Sequence, residues 1–362
     1  MARISVIMPV YNAQSTVMRA LQSLLAQSFA DWECVCIDDG STDGSGELLD
    51  EVARGDSRIR VTHQANAGVS AARNAALSRV SGAYVTFLDA DDEFEPFAFA
   101  RMIEALGASL ADGASLDTCL WDALAFGARC VPAGSESAWF QAHAVPRDVE
   151  YAEFAPALLF AENTIPRLQV LFRASLLEDP AIRFDPSLSM GEDLAFLCAL
   201  YVRAHGAKLI SDQAYIYHVD SQGSAMQRAA ADVRDKIDRD LDALCAVFAD
   251  WQSAGFFPQH AAALVEWSVA FIEYSILRQE PQWRASRLVR LRDAWRTALG
   301  DDDELQGIEP HAFPMVQLCL GCSDDGALAV GESKAARIAL AWRLKHYGVG
   351  DIASKVVGKL HR

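Results

Sequence analysis

The chain has 362 residues, 51% of them hydrophobic, and carries 49 Asp and Glu against 32 Lys and Arg, a formal charge of -17. That balance excludes the basic footprint of a nucleic-acid binder, and the composition is not that of a disordered chain. There is enough apolar material for a large core and for two domains.

The opening run "ISVIMPV", interrupted by Pro9, is too short for a secretion signal or a membrane span, and no other stretch approaches spanning length. The expected location is therefore the cytosol. Eight cysteines scattered through so long a chain read as reduced, mostly buried thiols, and "CLGC" at 319–322 lacks the second pair that a zinc site needs. After "ISVIMPV", read as a strand, "STVMRALQSLLAQS" repeats apolar residues at helical spacing, and "WECVCIDD" is again a strand. "DGSGELLDEVA" predicts a helix, "RIRVTHQ" a strand, "GVSAARNAALSRV" a helix opened by Ser70, and "AYVTFLD" a fourth strand. Residues 107–163 lose this alternation and read as a partly irregular insertion. "PRLQVLFRASLLED" restores a strand-to-helix pattern, "GEDLAFLCALYVRAHG" is a helix and "AKLISDQAYIYHV" a strand. From about residue 228 long helical stretches take over, so the expected division is 1–227, an α/β domain, and 228–362, a helical region.

Strands that are apolar throughout and alternate with helices indicate a mostly parallel sheet with helices on both faces. Ligands of such sheets bind outside the carboxyl ends of the strands. The ends here read "PVYN", "DDGSTD", "QANAG" and "LDADD", so the polar clusters gather along one edge. "VTFLDADDEF" packs Asp89, Asp91, Asp92 and Glu93 into five positions, where each carboxylate disfavours the ionisation of its neighbours. A divalent cation would compensate; a solvated acidic loop is the plainer reading.

Three chemistries place a D-x-D after a strand. A dinucleotide dehydrogenase is excluded because the first turn lacks G-x-G-x-x-G. A magnesium phosphatase working through an aspartyl-phosphate needs a lysine between its acidic motifs, and none precedes Lys208. Sugar transfer from a nucleotide diphosphate remains, in which a metal bridges the diphosphate.

"SVIMPVYN", "CIDDGSTDGS", "NAGVSAARNAAL", "FLDADD" and "GEDLAF", in this order and spacing, resemble the family 2 glycosyltransferases of the GT-A fold over residues 3–225. The resemblance implies a UDP-sugar donor, a glycan or lipid-linked acceptor and a divalent cation, manganese or magnesium. It further implies donor-binding roles for Pro9, Tyr11, Asp39, Arg73 and Asp89. Tyr11 would stack near the base, Asp39 accept the imide N–H of uracil, and Arg73 face the diphosphate or the acidic cluster. Asp91 would be the metal ligand, Asp193 the base that deprotonates the acceptor, and Glu192 its neighbour at the acceptor. Read from the residues alone, Asp38 and Asp43 suit a strand end and a helix cap, Asp92 a cap of the following helix, and His218 a structural position. The rival readings are the phosphatase and a catalytically silent nucleotide-sugar-binding protein.

The last stretch, 332–362, holds seven basic residues and two acids, with apolar residues at helical spacing. It reads either as helices packed on the body or as an interfacial segment contacting anionic lipid on the inner face of the membrane.

Overall fold

The structure is a computed structural model describing residues 3–109, 119–135, 147–155, 168–219, 232–300 and 307–345, together with Leu116, Val145 and Leu158. The chain divides into two compact units, Met1–Arg228 and Ala229–Arg362.

The first unit is built on a mixed sheet. Its strands are β1 (Ile4–Val10), β2 (Trp32–Asp38), β3 (Ile59–His63), β4 (Tyr84–Phe87), β5 (Glu93–Phe94), β6 (Ala123–Val131), β7 (Val149–Tyr151), β8 (Val170–Arg173) and β9 (Ala207–His218). They run in the order β3-β2-β1-β4-β8-β6-β9-β5, with β7 also paired to β9. β1 to β4 are mutually parallel, and so are β6 and β9. β8 joins the two blocks by pairing antiparallel with both β4 and β6.

The first four strands and their helices fall where periodicity placed them. Helices α1 (Val17–Leu25), α2 (Ser45–Gly55), α3 (Val69–Leu77) and α4 (Ala98–Ala105) follow their strands, and α5 (Glu192–Arg203) carries "EDLAFLCALYVR". β1 and β2 lie inside the sheet, which is why they are buried along almost their whole length and mostly apolar, with Ser5 of β1 donating to Glu33 of β2. Alternate residues Ile4, Val6 and Met8 share a core with Leu21 and Leu24 of α1, Leu49 of α2 and Phe99 of α4. On the other face Phe87 stacks on Phe172, and Phe196 of α5 packs edge-on against Phe87.

Two expectations need correction. α3 is opened not by Ser70 but by Gly68, whose φ of 90° a side chain would strain. Within the supposed irregular stretch 107–163 lies β6, a nine-residue buried strand at the centre of the sheet. Its register against β9 shifts at Gly127, where an added Cβ would come within 3.0 Å of the Asp212 carbonyl oxygen. That irregularity breaks the strict alternation by which a strand is recognised.

The second unit is helical: α6 (Val233–Ser253), α7 (Phe257–Ser268), a π-helical turn Val269–Glu273, α8 (Tyr274–Leu277), α9 (Pro281–Leu299) and α10 (Phe313–Leu320), with residues 332–345 also helical. Asp232 caps α6 by accepting from the Arg234 and Asp235 amides. α9 is fastened to α6 by a bidentate Arg287–Asp238 pair at 2.7 Å, and the Trp295 indole donates to Ser268 Oγ at 2.8 Å. Cys319 and Cys322 are buried free thiols, as expected of core residues. Among the described residues no helix is long and apolar enough to cross a membrane.

Candidate active site

The carboxyl ends of β1, β2 and β3 are cross-tied by side chains. Asn12, the residue with φ of 50° just past β1, donates its amide to Ser41 Oγ, and its Oδ1 accepts from the Thr42 amide. Asp43 accepts from the Gln14 and Ser45 amides. It therefore ties the first residue of α2 to the turn after β1, although the N-cap position itself is Gly44; burial alone would raise its pKa, and the bonds from Ser45 and Gln14 together hold it below the ordinary value. Asp38 accepts from the Ser41 amide and from His63 Nδ1. Gly40, at φ 75°, lies so close to the next loop that a Cβ would meet the Asn66 backbone nitrogen at 2.8 Å.

Asp39 is 3% exposed and accepts three bonds, from Gln64 Nε2 and the Ala67 amide on Oδ1 and from the Gly68 amide on Oδ2. Pro9 pairs with Ile37 of β2 but stands past the last β1–β4 pair, Ile7 with Phe87, so its missing N–H falls where β4 has already diverged. Tyr11 follows it and is 53% exposed, a large ring facing solvent at this edge.

The two acidic motifs meet at Arg73. Its Nη1 donates to Asp193 Oδ1 at 2.9 Å and to Glu192 Oε1 at 3.2 Å, and its Nη2 to Asp89 Oδ1 at 3.1 Å. Residues about 120 positions apart thus converge on an arginine that is only 4% exposed. Of the two directions open to Arg73 in the sequence, the structure places it in the acidic cluster. Glu192 and Asp193 occupy the first turn of α5 behind Gly191 at φ 78°, where the helix dipole favours the carboxylates. Although 30% of the Asp193 side chain still meets solvent, desolvation raises its pKa above the ordinary carboxylate range. Arg73 opposes that rise, while Glu192 and Asp89 add to it.

The "DADDE" loop is braced by the end of β9. Asp92 is 2% exposed and takes the Tyr215 hydroxyl on Oδ2 and the His218 amide on Oδ1, both at 2.9 Å. It does not cap α4, whose first turn has no side-chain cap. Burial, with Asp89 and Asp91 nearby, pushes Asp92 up to about 8. The Tyr215 hydroxyl also accepts from the Asp89 amide, and His218 Nε2 lies 2.7 Å from Glu93 Oε1. Burial and the same three aspartates push Tyr217 up to about 12. Tyr215 and Tyr217 were not singled out from the sequence. Their signal was the alternation of "YIYH", which puts two tyrosines on one face of a strand ending at the acids.

Among the described residues no three His, Cys, Asp or Glu side chains converge as a metal cage. The donor set nevertheless fits a hard divalent cation of the kind bound by one or two carboxylates and a substrate's phosphates. In the chain Asp91 falls between Asp89, whose side chain is partly open to solvent, and Asp92, which is already bonded to β9.

A family model for glycosyl transferase family 2 matches residues 5–118, the span holding β1 to β4 and the "DADD" loop. Residues 5–118 belong to that family. Glycosyltransferase EpsJ of Bacillus subtilis, itself uncharacterised, is 31% identical over 219 residues, 59% of this chain and 60% of EpsJ. Succinoglycan biosynthesis protein ExoO of Rhizobium meliloti is 28% identical over 218 residues, 60% of each chain. The chain thus spans about 60% of the length of these two curated relatives. The family 2 region lies within a GT-A fold: the S. aureus TarS structure in complex with UDP-GlcNAc superposes with a TM-score of 0.67 at 19% identity, covering 96% of this chain and 92% of that one.

Proposed function

We propose that this chain is an inverting glycosyltransferase that moves a sugar from a UDP-sugar to a hydroxyl of a glycan or lipid-linked acceptor. The observation that carries this reading is the convergence of Asp89, Glu192 and Asp193 on buried Arg73, which joins the donor motif to the acid pair at the head of α5. Asp193 takes the proton of the acceptor hydroxyl. A carboxyl whose pKa stands above the usual range is, once ionised, a stronger base than an ordinary aspartate. The freed oxygen attacks the anomeric carbon in line with the departing diphosphate, so no sugar is ever bonded to the protein. Glu192 lies on the acceptor side of the pair. Asp89 faces the ribose and phosphate, and Tyr11 offers its exposed ring to the base. Asp39 accepts the uracil imide N–H; three of roughly four lone-pair sites on its carboxylate are already used, leaving one. Manganese or magnesium, held by Asp91 and the donor's own phosphates, would neutralise charge gathering on the leaving diphosphate.

The relative named for succinoglycan biosynthesis supports a polysaccharide acceptor. A panel of nucleotide sugars offered with manganese and lipid-linked or oligosaccharide acceptors, read by UDP release and product mass, tests the reading. Phosphate released from simple phosphoesters would instead favour the phosphatase, and binding without turnover the silent binder.

The same reading extends to peripheral membrane contact through residues 332–362. Within 332–345, Trp342 is buried beside Tyr274 at 5.7 Å, and Ala335 and Ala339 are buried too, so that part of the apolar face is already covered. Lipid contact then falls to the basic residues further on; Ile352, Val356 and Leu360 lie outside the described residues. Deleting residues after Lys345 is expected to abolish sedimentation with anionic liposomes at low salt and to leave UDP binding unchanged. A full-length protein that ignores such liposomes would sink the idea.

A further inference from the structure

Arg73 is a nearly sealed cation, and a second set of contacts decides where it can point. Its guanidinium carbon lies 5.1 Å from the centre of the Phe184 ring. That ring is itself stacked flat on Phe196, with centroids 4.2 Å apart and planes 3° from parallel. Phe196 belongs to α5, three residues after Asp193, so base and stacking ring ride on the same helical turn. On the opposite side Asn74, the neighbour of Arg73 on α3, holds the Phe184 backbone at both polar groups. Asn74 Nδ2 donates to the Phe184 carbonyl at 2.7 Å, and its Oδ1 accepts the Phe184 amide at 2.9 Å. A closed circuit results: α3 to Phe184, Phe184 to Phe196, α5 to Asp193, and Asp193 back to Arg73. Phe184 lies outside every motif quoted from the sequence, and neither it nor Asn74 touches the carboxylates in any contact described above.

We infer that Asn74 and Phe184 are positioning residues that hold the Arg73 guanidinium against the Asp193 carboxylate. This rests on the reading of Asp193 as the base. A desolvated guanidinium gains from the face of an aromatic ring, and the Asn74 clamp fixes that face in height and tilt. Without either, Arg73 drifts from Asp193 toward Glu192 or Asp89. Among the described residues, these three carboxylates, from the end of β4 and the first turn of α5, are the main charged groups acting on Arg73, and Arg73 is the main cation acting on Asp193. Loosening the pair therefore raises the pH at which Asp193 titrates.

The test reads that titration directly, by carbon-13 NMR of the aspartate carboxyls in the full chain, with the Asp193 signal assigned by its loss in Asp193→Asn. Phe184→Leu keeps an apolar side chain but removes the ring face; Asn74→Ala removes the clamp. Phe87→Leu is the control, since Phe87 packs edge-on against Phe184 and Phe196 at 5.5 and 5.6 Å without meeting Arg73. Both test variants are expected to move the Asp193 midpoint up by about one pH unit, while the control leaves it in place. In turnover at a pH below the wild-type midpoint, kcat falls about 10-fold with the donor KM within about twofold, one pH unit being about tenfold in the proton equilibrium there. An unshifted midpoint in Phe184→Leu and Asn74→Ala, or an equal shift in Phe87→Leu, overturns the inference. Failure of the base reading looks different: Asp193→Asn would then keep wild-type turnover, whatever the midpoints do.

Discussion

Replacing Asp193 by Asn is expected to lower sugar transfer by roughly 10²- to 10⁴-fold, the usual worth of acid–base catalysis. Shape and the Arg73 contact survive, since an amide oxygen still accepts from Nη1, so UDP and metal binding stay at wild-type strength. The pH profile carries the same information. In the proposed mechanism the ionised form of Asp193 is the active one, and burial raises its pKa, so wild-type kcat is expected to climb with pH through that raised value and then level. The variant has no such limb. Glu192→Gln should do less; if it does more, the base is Glu192 and the two neighbours exchange roles.

The second large effect belongs to Asp91. Asp91→Asn removes the proposed charged ligand from the "DADD" loop while Asp92 keeps the loop fastened to Tyr215 and His218. Metal affinity should fall by at least the roughly 10- to 100-fold seen when even outer partners of a metal site are lost. Calorimetry with UDP then shows one weak affinity with or without manganese. A variant whose UDP binding still strengthens on adding manganese, to the extent the wild type does, would remove Asp91 from the site.

Much of this architecture is legible in the residues because the central strands obey simple rules. "ISVIMPV" and "WECVCIDD" are buried on both faces and therefore mostly apolar, and the helices between them carry their apolar residues at helical spacing. Glu192 and Asp193 also announce themselves, since acids at the head of a helix need no distant partner to be favourable there. What escaped depends on tertiary contact. β6 was hidden by the irregularity at Gly127, and the strand-like "ALAFGARCV" makes sense only once β8 and β9 flank it. The brace on Asp92 joins positions 123 residues apart, and a lone buried aspartate does not reveal that its partner is a tyrosine hydroxyl. Phe184 carries no motif at all. Its part in the cluster follows from Asn74 reaching it across 110 residues.

Gly40, Asn12, Asp43 and Asp39 together have a consequence for altering this protein. The turns after β1, β2 and β3 are laced to one another through backbone amides, so the donor edge responds as one plate rather than as three independent loops. A substitution meant to admit a different nucleotide would unfasten a neighbouring turn before it reshaped the pocket. Laboratory evolution toward a new donor should therefore accumulate its useful changes away from this edge, and should reach new acceptors in fewer steps than new nucleotides.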